Sequence, residues 1–193
     1  ILNLLKKINI HSSEIKNNKW SKKPGSLLSN KTIGIVGVGN IGQELIKILS
    51  GFNVNFLAFD KFENNDLIKT YNVRYSSLEN LFKESDVITI HLPNNEETEN
   101  LINKNFFSLM KNNSIFVNTS RGEIVNEDDL FDLLTNNKTI FAGIDVFKKE
   151  PYIGPLSNLE NIILTPHIAA YAKETRIEME IDAVRNLVNL SES

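Results

Sequence analysis

Thr32-Ile33-Gly34-Ile35-Val36-Gly37-Val38-Gly39-Asn40-Ile41-Gly42 decides the fold. Its first part, Thr32 to Val38, is a short run of β-branched residues ending in glycines, which suits a strand buried on both faces. Gly37-Val38-Gly39-Asn40-Ile41-Gly42 is then a GxGxxG that leaves this strand and opens a helix over Ile41 to Leu49. The first glycine allows a tight turn, the second lets the backbone approach a pyrophosphate, and the third lets helix and strand pack closely. The helix N-terminus offers free N–H groups and a positive dipole end to the phosphates. A glycine turn of this kind also occurs without a ligand. Here a second strand, Val54 to Phe59, ends in Asp60, about 20 residues beyond the glycines as the dinucleotide fingerprint requires. A carboxylate there accepts hydrogen bonds from an adenosine ribose diol and repels a 2′-phosphate, so NAD is expected over NADP. Lys61, directly after it, is a single basic residue that weighs the other way.

Outward from this unit the same alternation continues. Val87 to His91, Ile115 to Asn118, Thr139 to Ile144 and Ile162 to Leu164 read as further short strands. Asp66 to Thr70, Ser77 to Lys83, Lys104 to Met110 and Asn126 to Thr135 read as helices between them. Short apolar strands alternating with helices predict an α/β fold, a doubly wound parallel sheet of the Rossmann type covered on both faces. A last helix, about Lys173 to Leu190, carries Ile177, Ile181, Val184 and Val188 as a continuous apolar stripe. At the other end Ile1, Leu4, Leu5 and Ile8 recur at helical spacing, so the first ten residues predict an amphipathic helix whose stripe needs a partner surface. His11 to Asn30 is polar, contains Pro24 and Gly25, and reads as a surface loop with Trp20 pinned beneath it. The expected organisation is a helix and linker over 1–30, the nucleotide-binding domain over 31–172, and a C-terminal helix over 173–193. The abundance of Asn and Lys reads as composition bias.

Composition narrows the function. With 41% hydrophobic and 23% charged residues in 193, the chain has the make-up of one ordinary globular domain. Cys is absent, which excludes disulfides, a thiolate nucleophile and Cys-based metal sites and sits most easily with a cytoplasmic protein. A net charge of −3 gives no footprint for nucleic acid or an anionic membrane. No apolar run approaches the roughly 20 residues of a membrane helix. The chain opens on Ile1 instead of Met and lacks the pattern of a signal peptide, so an excised piece of a longer protein is expected.

Three strand ends carry chemistry. Arg121 follows Ile115 to Asn118, Glu150 follows the strand ending at Ile144, and His167 follows Ile162 to Leu164. All three fall at the C-terminal edge of the predicted sheet, where open α/β sheets bind ligands. Hydride transfer to a 2-oxo acid needs such a set. Arg holds the carboxylate bidentately and polarises the carbonyl, His passes a proton to or from the oxygen, and a carboxylate fixes the imidazole. Singly, each residue has a bland reading: a strand-end His, a structural ion-pair Arg, a solvated turn Glu. Together, in a chain with only three His, they favour the functional one. His91 points to the same edge and is read as structural or cofactor-adjacent. No metal ligand set is expected.

The glycine run, His91-Leu92-Pro93, Asn118-Thr119-Ser120-Arg121-Gly122, Ala142-Gly143-Ile144-Asp145-Val146-Phe147 with Glu150-Pro151, and Thr165-Pro166-His167-Ile168-Ala169 together resemble the D-isomer-specific 2-hydroxyacid dehydrogenases. The resemblance is nearest to the phosphoglycerate dehydrogenases of that family and runs from about Trp20 to the end of the last helix. It implies an NAD-binding domain inserted into a substrate-binding domain, so that 1–30 is an interdomain helix and linker and 173–193 a helix returning toward that second domain, with Arg121, Glu150 and His167 as the catalytic trio. It also implies Gly37, Gly39, Asn40, Ile41, Gly42, Asp60, Leu92, Pro93, Thr98, Thr119 and Ser120 in the NAD site, with Asp145 near the nicotinamide. Asn94-Asn95-Glu96-Glu97-Thr98 departs from the family's less charged segment after the Pro. A homodimer and a small 2-hydroxy or 2-oxo acid, D-3-phosphoglycerate first among them, are the implied partners. Glyoxylate, hydroxypyruvate and D-lactate are related substrates, and an NAD-sensing corepressor-like role is the alternative of another class.

Overall fold

Seven strands, β1 (Thr32–Val36), β2 (Asn55–Phe59), β3 (Arg74–Tyr75), β4 (Val87–Ile90), β5 (Ile115–Asn118), β6 (Phe141–Ile144) and β7 (Ile162–Leu164), make one sheet in the computed structural model, which describes residues 1–191. Every pairing is parallel and the order is β3-β2-β1-β4-β5-β6-β7. The chain winds outward from β1 to β3, returns to β4 beside β1, and winds outward the other way. The switch point therefore lies between the C-terminal ends of β1 and β4, where such sheets leave a crevice.

The helices are α1 (Leu2–Leu5), α2 (Ile8–Lys16), α3 (Asn40–Leu49), α4 (Asn65–Tyr71), α5 (Leu78–Glu84), α6 (Lys104–Phe107), α7 (Glu127–Asn136) and α8 (Lys173–Ser191). The period-2 alternation of strand side chains sends them to opposite faces. Ile33, Ile35, Phe56 and Ala58 pack with Leu4, Leu5, Ile46, Leu49 and Leu67, from α1, α3 and α4. Val36, Leu57, Ile88, Ile90 and Phe116 pack with Leu81, Phe82, Phe107, Leu130 and Leu134, from α5, α6 and α7. The doubly wound parallel sheet expected from the sequence is present.

Local expectations fail where tertiary contacts decide. The first helix does not run unbroken: Lys7 takes a left-handed φ of 53° and divides α1 from α2. The stripe of α1 has its partner within this domain, since Leu4 and Leu5 are 4% and 5% exposed against the sheet. Burying two leucines this fully contributes about 1.5–3 kcal/mol each. Helix also extends to Lys16 through residues expected to be loop, held by a cluster in which Glu14 accepts from Ser21 Oγ and pairs with Lys23 at 2.8 Å. Trp20 is not pinned at all; it is 83% exposed. The two-residue edge strand β3 is too short to show a period, and α6 stops at Phe107, three residues early.

The Asn content has a physical role. Of the eight non-glycine residues with positive φ among those described, six are Asn, the residue whose short amide best tolerates this region. Asn64, Asn103 and Asn126 cap α4, α6 and α7 through their side chains. α8 forms as expected, with Ile177, Ile181, Val184 and Val188 all solvent-exposed; the last two residues of the 173–193 span lie outside the described residues.

Candidate active site and cofactor cleft

The glycine turn is built to let backbones touch on one side and stay open on the other. Gly37 has φ +96°, and a Cβ on it would lie 2.8 Å from the carbonyl carbon and oxygen of His91. A Cβ on Gly42 would lie 2.3 Å from Gly37 O. Gly39 differs: a Cβ there would meet nothing within 4 Å. No side chain caps α3, whose N-cap is Gly39, so its first-turn N–H groups face that open space, as a pyrophosphate cradle requires. Asp60 closes the turn, its Oδ2 accepting from Val38 N at 2.6 Å.

A cleft of about 450 Å³ continues from this turn. Its walls bring together Ile41, Leu92, Pro93, Thr119, Ser120 and Arg121, which are scattered through the sequence, with His91 among them. Thr98 lies behind the wall: it is 8% exposed and its hydroxyl donates to Pro93 O at 2.7 Å, tying down the turn after β4. The walls of this cleft are thus side chains and backbone that follow three strand ends, those of β1, β4 and β5.

Glu150 and His167 meet next to it. His167 Nδ1 lies 2.9 Å from Glu150 Oε2, and Glu150 Oε1 accepts from Phe147 N at 3.0 Å. The hydrogen bond from His167, then that from Phe147, holds the Glu150 carboxyl below its ordinary value. A carboxylate on Nδ1 fixes the proton there, which leaves Nε2 as the nitrogen free to exchange a proton with a ligand. Both residues line a second cleft of about 620 Å³ with Tyr152, Leu164, Thr165 and Pro166. Arg121 lines the neighbouring cleft at the glycine turn, and its Nη1 donates to Ser120 O at 2.6 Å. A larger cavity, about 780 Å³, lies at the opposite edge of the sheet against Leu4, Leu5 and Phe141, away from these groups.

The sequence model of the D-isomer specific 2-hydroxyacid dehydrogenase NAD binding domain matches residues 1–169. The chain belongs to this family. It is 36% identical over 181 residues to a D-3-phosphoglycerate dehydrogenase of Archaeoglobus fulgidus, covering 92% of this chain and 34% of that one. It is 38% identical over 180 residues to a hydroxypyruvate reductase of Thermotoga maritima, covering 90% and 58%. The solved structure of D-lactate dehydrogenase with NAD+ from Lactobacillus jensenii superposes with a TM-score of 0.88 at 29% identity, over 99% of this chain and 62% of that one. The chain thus spans between about a third and three fifths of the length of these relatives.

In this 2-hydroxyacid dehydrogenase domain, buried polar groups hold the loops after β5, β6 and β7: Asn118, to which the motifs gave no role, and Asp145, expected near the nicotinamide. Asn118 is 1% exposed; its Oδ1 accepts from Ser120 N and Oγ at 3.1 and 2.8 Å, and its Nδ2 donates to Arg121 O at 2.9 Å. Asp145 is 4% exposed and takes Thr165 Oγ1, Ile168 N at 2.9 Å and Ala169 N at 2.8 Å. Its own carbonyl accepts from His167 N at 2.8 Å, so Asp145 brackets a histidine whose φ is 55°. A Cβ on Gly122 would lie 2.0 Å from Phe147 C, which locks the Arg121 loop against the loop of Glu150. The signal in the sequence is a polar residue at the end of an apolar strand. His91 bonds Thr89 Oγ1 at 3.0 Å, and burial pushes its pKa down to about 4; it is the neutral wall of the cleft. Among the described residues there is no cluster of three metal-ligating side chains and no helix long and apolar enough to cross a membrane.

Proposed function

We propose that the protein containing this domain is an NAD-dependent oxidoreductase of D-2-hydroxy acids, with D-3-phosphoglycerate and 3-phosphooxypyruvate as the first pair to try. The observation that carries the reading is the Glu150–His167 pair beside a glycine-turn cleft that also presents Arg121. Gly37, Gly39, Asn40, Ile41 and Gly42 would hold the pyrophosphate, Asp60 the adenosine ribose, and Leu92, Pro93, Thr119, Ser120 and Asp145 the nicotinamide half, with Thr98 supporting Pro93. Bound there, the nicotinamide supplies or accepts the hydride.

The chain's own groups do the rest. Arg121 frees its guanidinium from Ser120 O to hold the substrate carboxylate through two parallel hydrogen bonds, which also polarises the adjacent carbonyl. His167 gives a proton from Nε2 to the carbonyl oxygen in reduction and takes it back in oxidation. Glu150 keeps the ring oriented and offsets the positive charge while the proton is on it. Turnover of NADH with 3-phosphooxypyruvate, hydroxypyruvate, glyoxylate and pyruvate tests this: one or more is reduced, and Arg121→Ala loses affinity for that acid while keeping NADH. Reduction of none of them by a protein that binds NADH contradicts it.

The exposed Ile177, Ile181 and Val184 of α8 support burial against the remainder of the protein, in keeping with a separate substrate domain. The exposed Trp20 and Leu27, 83% and 69%, support a second copy as their cover and a homodimer, which sedimentation or light scattering would detect.

A further inference from the structure

Two oddities of the sequence meet in space. Lys61 follows the ribose-binding Asp60, and the acidic run ending in Glu97 follows Pro93; in the fold Lys61 Nζ and Glu97 Oε2 form an ion pair across the loops after β2 and β4. The two ends are held differently. Glu97 stands on a fixed turn, in which Asn95 Oδ1 accepts from Glu97 N at 3.0 Å and Thr98 N at 3.1 Å, and Thr98 Oγ1 donates to Pro93 O at 2.7 Å. Lys61 is a long side chain, 71% exposed, beside an Asp60 that is anchored to Val38 N at 2.6 Å. The carboxylate is therefore the stationary partner and the lysine the one drawn across.

With the cofactor on the glycine turn, a reading on which this inference rests, the ribose diol lies at Asp60 and a 2′-phosphate would enter the same corner. Asp60 repels it. Lys61, adjacent in the chain, is the cation that could compensate, because an ammonium on a flexible stem readily becomes a phosphate ligand. We propose that Glu97 is a cofactor-specificity residue: by pairing with Lys61 it withholds that cation from a 2′-phosphate, so that NADP is rejected more strongly than Asp60 alone would achieve. The pair lies in solvent, Glu97 being 67% exposed, and exposed pairs are weak, so the effect is a modest factor.

Dissociation constants of NADH and NADPH, measured by calorimetry on the wild type, Glu97→Gln, Lys61→Ala and the double variant, test it. Glu97→Gln should raise NADPH affinity relative to NADH roughly three- to fivefold. Lys61→Ala alone should move the ratio less than about twofold, since the lysine is already engaged. In the double variant the gain should vanish. An unchanged ratio in Glu97→Gln overturns the inference, and a gain that survives in the double variant replaces it with direct repulsion by Glu97. Absence of NADH binding in the wild type would instead overturn the cofactor reading on which it rests.

Discussion

His167 and Glu150 make a short unit whose chemistry follows from which atom each presents. Glu150 takes Phe147 N on one oxygen and His167 Nδ1 on the other, so its carboxylate cannot turn away. Glu150→Gln should lower kcat on the order of 10²-fold with KM little changed, read from steady-state kinetics, because the imidazole loses its charged anchor but the acid's carboxylate keeps Arg121. The depressed Glu150 pKa means the pair adds stability above the ordinary carboxyl value of 4.5 and loses it as pH falls below that. His91 behaves in the opposite chemical sense with the same pH direction. Its pKa falls from 6.5 to about 4 on burial; the unfolded chain binds the proton first, so stability drops as pH falls through that window. Denaturant unfolding at pH 7 and pH 5 should show a loss on the order of 2 kcal/mol that His91→Asn lacks; equal losses would mean the ring is solvated.

At the scale of elements, the site is a set of strand ends clamped by buried polar groups. Gly122 and Gly39 separate structural from ligand-facing roles. Gly122→Ala puts a methyl 2.0 Å from Phe147 C and should cost about 2–4 kcal/mol in thermal or denaturant unfolding, with turnover falling as the two loops part. Gly39→Ala meets nothing within 4 Å and should leave stability within about 0.5 kcal/mol while weakening NADH binding. Equal destabilisation by both would contradict the open cradle. The glycine turn, β1, β2 and the ends of β5, β6 and β7 were legible in the sequence because their signals are local: apolar runs, punctuating glycines, a polar residue at each end. The break at Lys7, the helix through Lys16 and the exposed Trp20 were not, since each depends on where α1 lands and on the Glu14 cluster. The clamping by Asn118 and Asp145 was likewise hidden, because a buried acceptor is recognised only by the donors that reach it.

For the whole molecule, a parallel sheet whose winding reverses between β1 and β4 leaves a crevice there; Arg121, after β5, lines the cleft at that point, while Glu150, after β6, and His167, after β7, line the second cleft. Of the N-terminal stripe expected to await an outside partner, Leu4 and Leu5 are covered by the domain's own core while Ile8 stays 49% exposed; Ile177, Ile181 and Val184 of α8 are exposed as well. On the proposed reading, the domain supplies both the glycine-turn cleft and the Glu150–His167 pair. His167→Ala, assayed side by side for NADH binding and for reduction of the best 2-oxo acid, tests this most directly. NADH affinity within about twofold of wild type, with kcat down roughly 10³-fold or more, is the predicted result. Retention of turnover in His167→Ala would contradict the assignment of proton transfer to this pair.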